Sequence, residues 1–364
     1  MKICFIADPN HANTLNWARY FAEVLCHQVH IICLKEVRNY DEHIIYHESS
    51  IKFVFSKLKY ITSIFFVRSR IRRIKPDILI GYRVTSYGFL AALSGFRPLV
   101  IAAQGQNIVY PKYSLIKNLT ARYALKKAKL IHAWGPHMAS KIVKFGGKPE
   151  NILIKPRGVF LDKFMRINPS KRSSKLHLVS TRSLNPEPHY NIKPILDALF
   201  LLKKDYPKVF YTIAGDGPMK QKMIRYAEEL GLKNQVNFVG ALSYDKIAAI
   251  LNTANIYISN VWSDGVSSSL LEAMACGCFP VVVNNISNRL WIKNNINGIL
   301  FPADDSHSIT KSVSLAWENK ELREKAMFFN LELVKQKASW EKNMSEFESA
   351  YFKLINYNLL KRTQ

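Results

Sequence analysis

The chain has 364 residues, of which 48% are hydrophobic and 22% charged, a composition that excludes a largely disordered chain. This length is too great for one ordinary domain and predicts two. Lys and Arg number 52 against 27 Asp and Glu, and the formal charge of +25 indicates polyanionic partners: anionic lipid, nucleic acid or phosphorylated substrates.

The first half of the chain alternates short β-rich runs with helical stretches. This alternation predicts an α/β domain with a mainly parallel, doubly wound sheet. The predicted strands cover residues 2–7, 28–33, 51–55, 77–81, 99–103, 129–133 and 151–154.

A polar, turn-forming stretch at 168–175 marks the expected linker, which divides the chain into domains 1–167 and 168–344. The second domain repeats the alternation of the first and is expected to have the same architecture. Its predicted strands cover residues 176–180, 209–214, 236–240, 256–260, 279–284 and 298–301.

The tail carries an apolar stripe at helical spacing, which predicts a buried helix face. This helix either closes the second domain or returns to the first, and we expect residues 345–364 to pack on the first domain. The stripe consists of Trp340, Met344, Phe347, Tyr351 and Leu354.

Cysteine usage and hydropathy indicate a cytoplasmic protein. The five cysteines form neither a CxxC pair nor a zinc-finger pattern, which favours a reduced, intracellular chain. The N-terminal run lacks the features of a signal peptide. No apolar run approaches the roughly 20 residues of a membrane span, so we expect a protein that lies on a membrane without crossing it.

Residues 259–283 are the most informative segment of the sequence. A strand runs into a polar turn with Asp264 and Gly265, and a helix then begins near Ser267 and carries Glu272. A helix N-terminus offers unpaired amides and partial positive charge to a diphosphate. The alternative interpretation is that Ser267 merely caps the helix and that Glu272 is a solvated helical residue.

This segment resembles the signature of the retaining family 4 glycosyltransferases: acid, Gly, six residues, Glu, Ala-Met-Ala, small-Gly and Pro-Val. Further matches lie at 155–164, 213–218, 236–240 and 297–302. The resemblance implies the GT-B fold, in which two Rossmann-like domains share an interdomain cleft that holds the substrates.

The resemblance also implies roles for individual residues. Glu272 matches the acid that holds the nucleotide ribose, and Arg182 matches the cation that stabilises the leaving diphosphate. Asp264 matches the position that faces the donor sugar, where the family usually has Glu. Further implied substrate-binding positions are Gly215, Gly240, Gly265, Val266, Ser267 and Ser268.

Some positions depart from the family pattern. No Lys follows Arg182 closely. The second cation for the phosphate is therefore Lys193 or His189, or it is missing. Gln104 replaces the His that many members carry after the fifth strand. The Gly-rich loop after the first strand is replaced by a segment whose candidate phosphate or acceptor contacts are His11 and Asn13, although a turn role for His11 is an equal alternative.

The first domain is strongly basic. Residues 51–150 hold 19 Lys and Arg but only two acids, a net charge of +17. Within 57–75, apolar residues recur at helical spacing between cations, and this pattern predicts either a core-packed helix with a solvated face or docking on anionic lipid. Arg83, at a predicted strand end, is a candidate contact for an acceptor diphosphate.

The resemblance implies a retaining glycosyltransferase that uses a nucleotide diphosphate sugar. Together with the uneven charge, it predicts a lipid-linked, lipopolysaccharide or polysaccharide glycan as the acceptor. We expect the protein to act peripherally on the cytoplasmic membrane face, with no cofactor and no metal. The alternatives are another GT-B enzyme, such as a nucleotide-sugar epimerase or a sugar phosphorylase, and a basic nucleic-acid-binding protein. The last has no helix-turn-helix, zinc-finger or aromatic RNA signature to support it, so we expect no nucleic-acid partner.

Overall fold

The computed structural model describes residues 1–49, 63–103, 115–165, 172–186, 191–262 and 265–360. The chain divides into two compact units, one of Met1–Lys155 with Ser345–Gln364 and one of Pro156–Met344. The boundary therefore lies twelve residues before the predicted position at 167. The reason is that Phe164 is buried in the core of the second unit, where its carbonyl accepts a hydrogen bond from Cys276 Sγ (3.0 Å).

The first unit is built on a parallel sheet of seven described strands in the order β3-β2-β1-β4-β5-β6-β7. The order reverses direction between β1 and β4, as in a doubly wound fold. The central strands are buried on both faces, which explains their nearly continuous apolar sequence. The strands are β1 (Lys2–Ile6), β2 (Gln28–Cys33), β3 (Ile44–Glu48), β4 (Ile78–Tyr82), β5 (Leu99–Ala103), β6 (Leu130–Ala133) and β7 (Ile152–Ile154).

Helices connect these strands. The α-helices are α1 (Ala12–Arg19), α2 (Ile64–Ile74), α3 (Phe89–Leu93), α4 (Leu115–Lys127) and α5 (Pro136–Lys144). A π-helical turn at Tyr20–Val24 extends α1, and another at Arg83–Gly88 precedes α3. A 3₁₀ turn at Pro149–Asn151 precedes β7.

The second unit contains a parallel sheet of six described strands in the order β10-β9-β8-β11-β12-β13. Its strands are β8 (His177–Thr181), β9 (Phe210–Ala214), β10 (Val236–Gly240), β11 (Ile256–Ser259), β12 (Phe279–Val283) and β13 (Ile299–Phe301). Its α-helices are α6 (Leu161–Phe164), α7 (Lys193–Asp205), α8 (Lys220–Glu229), α9 (Tyr244–Thr253), α10 (Ser268–Ala275), α11 (Ser306–Glu318) and α12 (Lys320–Ala338), and a 3₁₀ turn covers Asn288–Leu290.

The last helix, α13 (Trp340–Leu360), starts in the second unit and continues into the first. In the first unit, the Tyr351 hydroxyl lies 2.8 Å from His132 Nε2, and Glu348 lies 2.5 Å from His27 Nε2. Four of the five predicted stripe residues are buried, and Leu354 is partly exposed.

The structure differs from the predicted strands mainly at one edge of the first sheet. Strand β3 was not predicted, and its outer residues are only partly buried, as expected of an edge strand without a continuous apolar run. The predicted strand at 51–55 lies outside the described residues. Among the helices that the structure describes, none is both long and apolar enough to span a bilayer.

Candidate active site

The N-terminus of α10 is the centre of the candidate site. Ser267 precedes the helix in an extended conformation, and its Oγ accepts a hydrogen bond from Leu270 N (3.2 Å). Ser267 therefore caps the helix, as one of the two sequence interpretations stated. Gly265 and Val266 lead into this cap and Ser268 starts the helix, so the predicted amide cluster lies at the helix N-terminus.

Arg182 brings a permanent positive charge to this helix N-terminus. It follows β8, which pairs with β11, so both elements end at the same edge of the sheet. The Arg182 guanidinium donates from Nη2 to Ser267 Oγ. A planar cation and the positive end of a helix dipole are thus adjacent, an arrangement suited to a phosphate group.

Glu272 lies one turn further along α10 and is only partly exposed. Burial raises the pKa of Glu272 to about 7, and the charges of Arg157 and Arg182 oppose this rise. The carboxyl group is therefore close to half ionised at neutral pH. Such an environment contradicts the interpretation of Glu272 as a solvated helical residue.

The turn after β9 fixes the backbone that carries Arg182. A Cβ atom at Gly215 would lie 1.7 Å from the Arg182 carbonyl oxygen, and one at Gly217 would lie 2.3 Å from the Leu184 carbonyl oxygen. Leu184 N donates to Asp216 O (2.9 Å), and Met219 N donates to Leu184 O (3.0 Å). Glycine is required because the two loops touch through their backbones.

Gly240 lies at the same edge of the sheet, where a single bridge pairs it with Gly215. Its φ of +74° places it in the left-handed region. Lys220 Nζ lies 3.7 Å from Asp216 Oδ2 and would stand 3.4 Å from a Cβ at Gly240. A lysine ammonium thus borders the turn of Gly240, which the family resemblance implies to be a substrate-binding position.

A polar network that the sequence analysis did not identify joins three loops beside Arg182. The Asn260 amide donates from Nδ2 to Asp304 Oδ1 (2.7 Å) and to Asn191 O (3.1 Å). Asn191 Nδ2 also donates to Asp304 Oδ1 (3.1 Å). In the sequence, Asn260 stands out only as a polar residue at a strand end. Its partners Asn191 and Asp304 could not be recognised, because they are 69 and 44 residues away.

Arg157 is a further residue of the site to which the sequence analysis assigned no role. Its side chain is 8% exposed, and its charge acts on Glu272. It belongs to the Lys-Pro-Arg-Gly run at 155–158 that resembles the family, but no role was assigned to it.

Lys193 is exposed at the start of α7, and its Nζ lies 4.8 Å from the centre of the Tyr226 ring on α8. Its role as a second phosphate cation stays a prediction. Asp264, His189 and Gln104 lie outside the described residues, so that their predicted contacts with the donor sugar, phosphate and acceptor also stay predictions.

Three predicted residues of the first unit lie at the carboxyl edge of its sheet. His11 and Asn13 follow β1, and Arg83 follows β4, its neighbour in the sheet. The His11 ring centre lies 6.3 Å from that of Tyr82. Arg83 has a φ of +74°, and a Cβ at Gly88 would lie 2.5 Å from its carbonyl oxygen. This unusual backbone conformation is the kind found at functional sites.

Two family models match the chain. The model described as glycosyl transferases group 1 matches residues 164–327, and the model described as glycosyl transferase 4-like matches residues 2–133. Each unit of the chain thus carries a match to a glycosyltransferase model, the group 1 model in the second unit and the 4-like model in the first. The first match includes α10, Arg182 and the Gly215 turn, which contain most of the residues of the candidate site.

Individual relatives of the chain are distant. An uncharacterized glycosyltransferase of Methanocaldococcus jannaschii is 28% identical over 167 residues, 45% of this chain and 42% of that protein. The chain thus spans less than half the length of that relative. A second relative is 22% identical over 296 residues, 79% of each chain. It is a Campylobacter jejuni α-1,4-N-acetyl-D-galactosaminyltransferase whose name specifies an undecaprenol-diphosphate-linked glycan.

Comparison with solved structures confirms the predicted GT-B fold. Anabaena HepE, crystallised in complex with UDP, superposes with a TM-score of 0.81 at 16% identity, and the match covers 97% of this chain and 100% of HepE.

Proposed function

We propose that this protein transfers a sugar from a nucleotide diphosphate sugar to a glycan acceptor, with retention of anomeric configuration and without a divalent metal. The observation that carries the proposal is the contact between Arg182 and Ser267 at the N-terminus of α10, next to Glu272. The match to the group 1 glycosyltransferase model and the UDP complex of HepE support a nucleotide sugar as the donor.

In the proposed reaction, the leaving diphosphate lies against the amides of residues 265–267. Arg182 and these amides neutralise the charge that develops as the bond between sugar and phosphate breaks. They are held in place before the reaction by the Ser267 cap and the Gly215 turn, so that little reorganisation is needed. A helix terminus and a guanidinium supply the charge that a metal ion provides in other enzymes.

Glu272 is proposed to accept hydrogen bonds from the ribose hydroxyls and Asp264 to face the donor sugar. An oxygen of the donor phosphate takes the proton of the attacking acceptor hydroxyl, which becomes bonded to the anomeric carbon as the diphosphate departs. Protein side chains therefore contribute binding and charge stabilisation, and no protein base is assigned.

The proposed acceptor is a lipid-linked, lipopolysaccharide or polysaccharide glycan at the cytoplasmic membrane face, where the protein binds peripherally. Two observations support this choice. The Campylobacter relative is named for an undecaprenol-diphosphate-linked glycan. The excess of 19 cations over two acids in residues 51–150 favours anionic surfaces and phosphorylated acceptors.

The test is a thermal-shift screen of nucleoside diphosphates and then nucleotide sugars. We expect one nucleotide to raise the melting temperature, because a ligand of the folded state stabilises it by mass action. Glu272→Ala should abolish transfer, whereas Glu228→Ala, at an exposed position on α8, serves as the matched control. Excess EDTA should leave the shift and the turnover unchanged.

Product analysis then tests the reaction itself. NMR of the product should show the donor's anomeric configuration. An epimer formed without acceptor, or consumption of free phosphate, would instead assign an epimerase or a phosphorylase. Unchanged turnover of Glu272→Ala would refute the site assignment.

A further inference from the structure

Helix α4 exposes an apolar stripe on the surface of the first unit. Leu115, Leu119 and Tyr123 recur at intervals of four residues, so they lie along one line of the helix. The exposed fractions of Leu115, Ile116 and Leu119 are 75%, 72% and 58%. The opposite side of α4 is packed through Ala121, Ala124 and Leu125. The helix is therefore apolar both toward the sheet and toward the outside, which a solvated helix is not.

Helix α2 presents a second, similar surface. Its inner side is buried through Ile64, Val67, Ile71 and Ile74. Its outer side carries Phe65, which is 75% exposed, together with the exposed cations Arg68, Arg72 and Arg73. We call the outer sides of α2 and α4 together the basic apolar face.

The two helices belong to one layer. The connections from β3 to β4, from β4 to β5 and from β5 to β6 all step in the same direction along the sheet, so right-handed crossovers place α2, α3 and α4 on the same side. Arg68 Nη2 donates to Leu93 O (2.8 Å) at the end of α3, and Phe89 of α3 packs edge-on against Tyr123 of α4. The first turns of α2 and α4 both lie at the carboxyl edge of the sheet, because each helix runs antiparallel to the strand that follows it.

Acidic residues are absent from this layer in the part of the chain that the structure describes. Between residues 63 and 150, the described acids are Asp77 and Glu150. Asp77 directly precedes β4, and Glu150 lies in the 3₁₀ turn before β7, so both are at the opposite, amino edge of the sheet. Lys117, Arg122, Lys126 and Lys127 add exposed cations along α4. Among the described residues of α2, α3 and α4, every charged side chain is therefore a cation.

We propose that the basic apolar face is the surface through which the protein docks on an anionic bilayer, with Phe65, Leu115, Ile116 and Leu119 inserted below the headgroups. Exposed apolar side chains flanked by cations are the combination that binds lipid interfaces. A nucleic acid would pair with the cations but would leave the aliphatic side chains in water. A second copy of the chain would bring the same cations face to face, which disfavours a symmetric dimer through this surface. The inference deepens the proposed function and rests on its membrane-bound acceptor.

The test is sedimentation with vesicles of phosphatidylcholine, with and without one third phosphatidylglycerol. We expect binding to the anionic vesicles only. Arg72→Gln with Arg73→Gln should lower the partition about 25-fold, about fivefold per cation, and added salt should weaken wild-type binding. Leu115→Ser with Leu119→Ser should lower it about tenfold, because the inserted apolar area is lost.

Two controls use exposed residues of the second unit. Phe328→Ser removes an apolar side chain that is 66% exposed, and Lys222→Gln with Arg225→Gln removes two exposed cations from α8. Both should bind vesicles as the wild type does. Equal vesicle binding by all variants would overturn the proposal. So would a wild-type dimer that the Leu115/Leu119 variant disrupts, or duplex binding that the same variant weakens.

Nucleotide binding is measured on the same samples. Because Arg72, Arg73, Leu115 and Leu119 lie in the first unit on outer helical sides, the UDP-induced thermal shift should stay unchanged in the variants of the basic apolar face. If the wild-type chain bound vesicles but no nucleotide, the proposed function alone would be refuted. Intact nucleotide binding without any vesicle binding would refute the docking surface alone.

Discussion

Replacing Gly215 by Ala should disable the nucleotide site without touching a residue proposed to contact nucleotide through its side chain. A Cβ at this position would lie 1.7 Å from the Arg182 carbonyl oxygen and 2.5 Å from its carbonyl carbon. Both atoms are backbone, so the clash can be relieved only by separating the β9 turn from the loop after β8. That separation breaks the hydrogen bonds that link Leu184 to Asp216 (2.9 Å) and to Met219 (3.0 Å).

The size of the effect follows from these contacts. Losing two backbone hydrogen bonds beside the buried Leu184 lowers the free energy of unfolding by about 2–4 kcal/mol. Displacement of the Arg182 guanidinium from Ser267 removes a charge-assisted contact to phosphate, worth about 1.5–3 kcal/mol. The affinity for UDP, the nucleotide used here as probe, should therefore fall by about 10- to 100-fold.

The assay is thermal unfolding combined with calorimetric titration of UDP. Gly231→Ala is the matched control, since Gly231 has a φ of +66° but no atom within 4 Å of its would-be Cβ. This control should lose about 1–2 kcal/mol through backbone strain and retain its UDP affinity. If Gly215→Ala matched the control in both measurements, the backbone contact would not be what positions Arg182.

Three further predictions concern titration and capping. Because burial raises the pKa of Glu272 to about 7 and ribose hydroxyls favour the ionised carboxylate, UDP affinity should rise with pH through 7 in the wild type; subtracting the profile of Glu272→Gln removes the titration of UDP itself. Ser267→Ala should lower the free energy of unfolding by about 1 kcal/mol and weaken UDP binding severalfold, whereas Ser267→Thr should retain most of both in denaturant and calorimetric titrations. Burial lowers the pKa of His132 to about 3 and that of His177 to about 4. Both imidazoles therefore stay neutral in the folded protein, whereas in the unfolded chain they take up protons below pH 6.5, the ordinary pKa of histidine. Stability should thus fall as the pH drops from 6.5 toward 4, by up to about 1.4 kcal/mol per pH unit for each group, and urea midpoints of His132→Gln should show a weaker dependence.

Much of the fold was predictable because parallel strands buried on both faces leave a strong apolar signal. The strands β1, β2, β5 and β10 agree with their predicted positions to within one residue. Strand β3 was not predicted, because an edge strand needs only partial burial and its sequence, Ile-Ile-Tyr-His-Glu, mixes apolar and polar residues. The unit boundary was misplaced because local polarity at 168–175 was used in place of tertiary contacts, and Phe164 shows that the second core begins earlier.

The candidate site was only partly predictable, because its decisive contacts join distant positions. Ser267 as a helix cap is a local feature and could be read from its neighbours. By contrast, Arg182 and Ser267 are 85 residues apart, and the charge that Arg157 exerts on Glu272 comes from the start of the second unit's sequence. No local pattern encodes such proximity. The resemblance to a family supplied Arg182 and Glu272, but it assigned no role to Arg157 or to Asn260.

The charges around Glu272 connect the geometry to the proposed chemistry. Two guanidinium groups, of Arg157 and Arg182, act on a single carboxyl that burial keeps about half ionised near pH 7. The cluster therefore carries surplus positive charge beside the N-terminus of α10, where the helix dipole adds more of the same sign. A diphosphate neutralises this surplus, whereas a neutral sugar alone does not. The leaving group of a nucleotide sugar gains negative charge as the glycosidic bond breaks, so the same surplus stabilises the transition state more than the bound substrate.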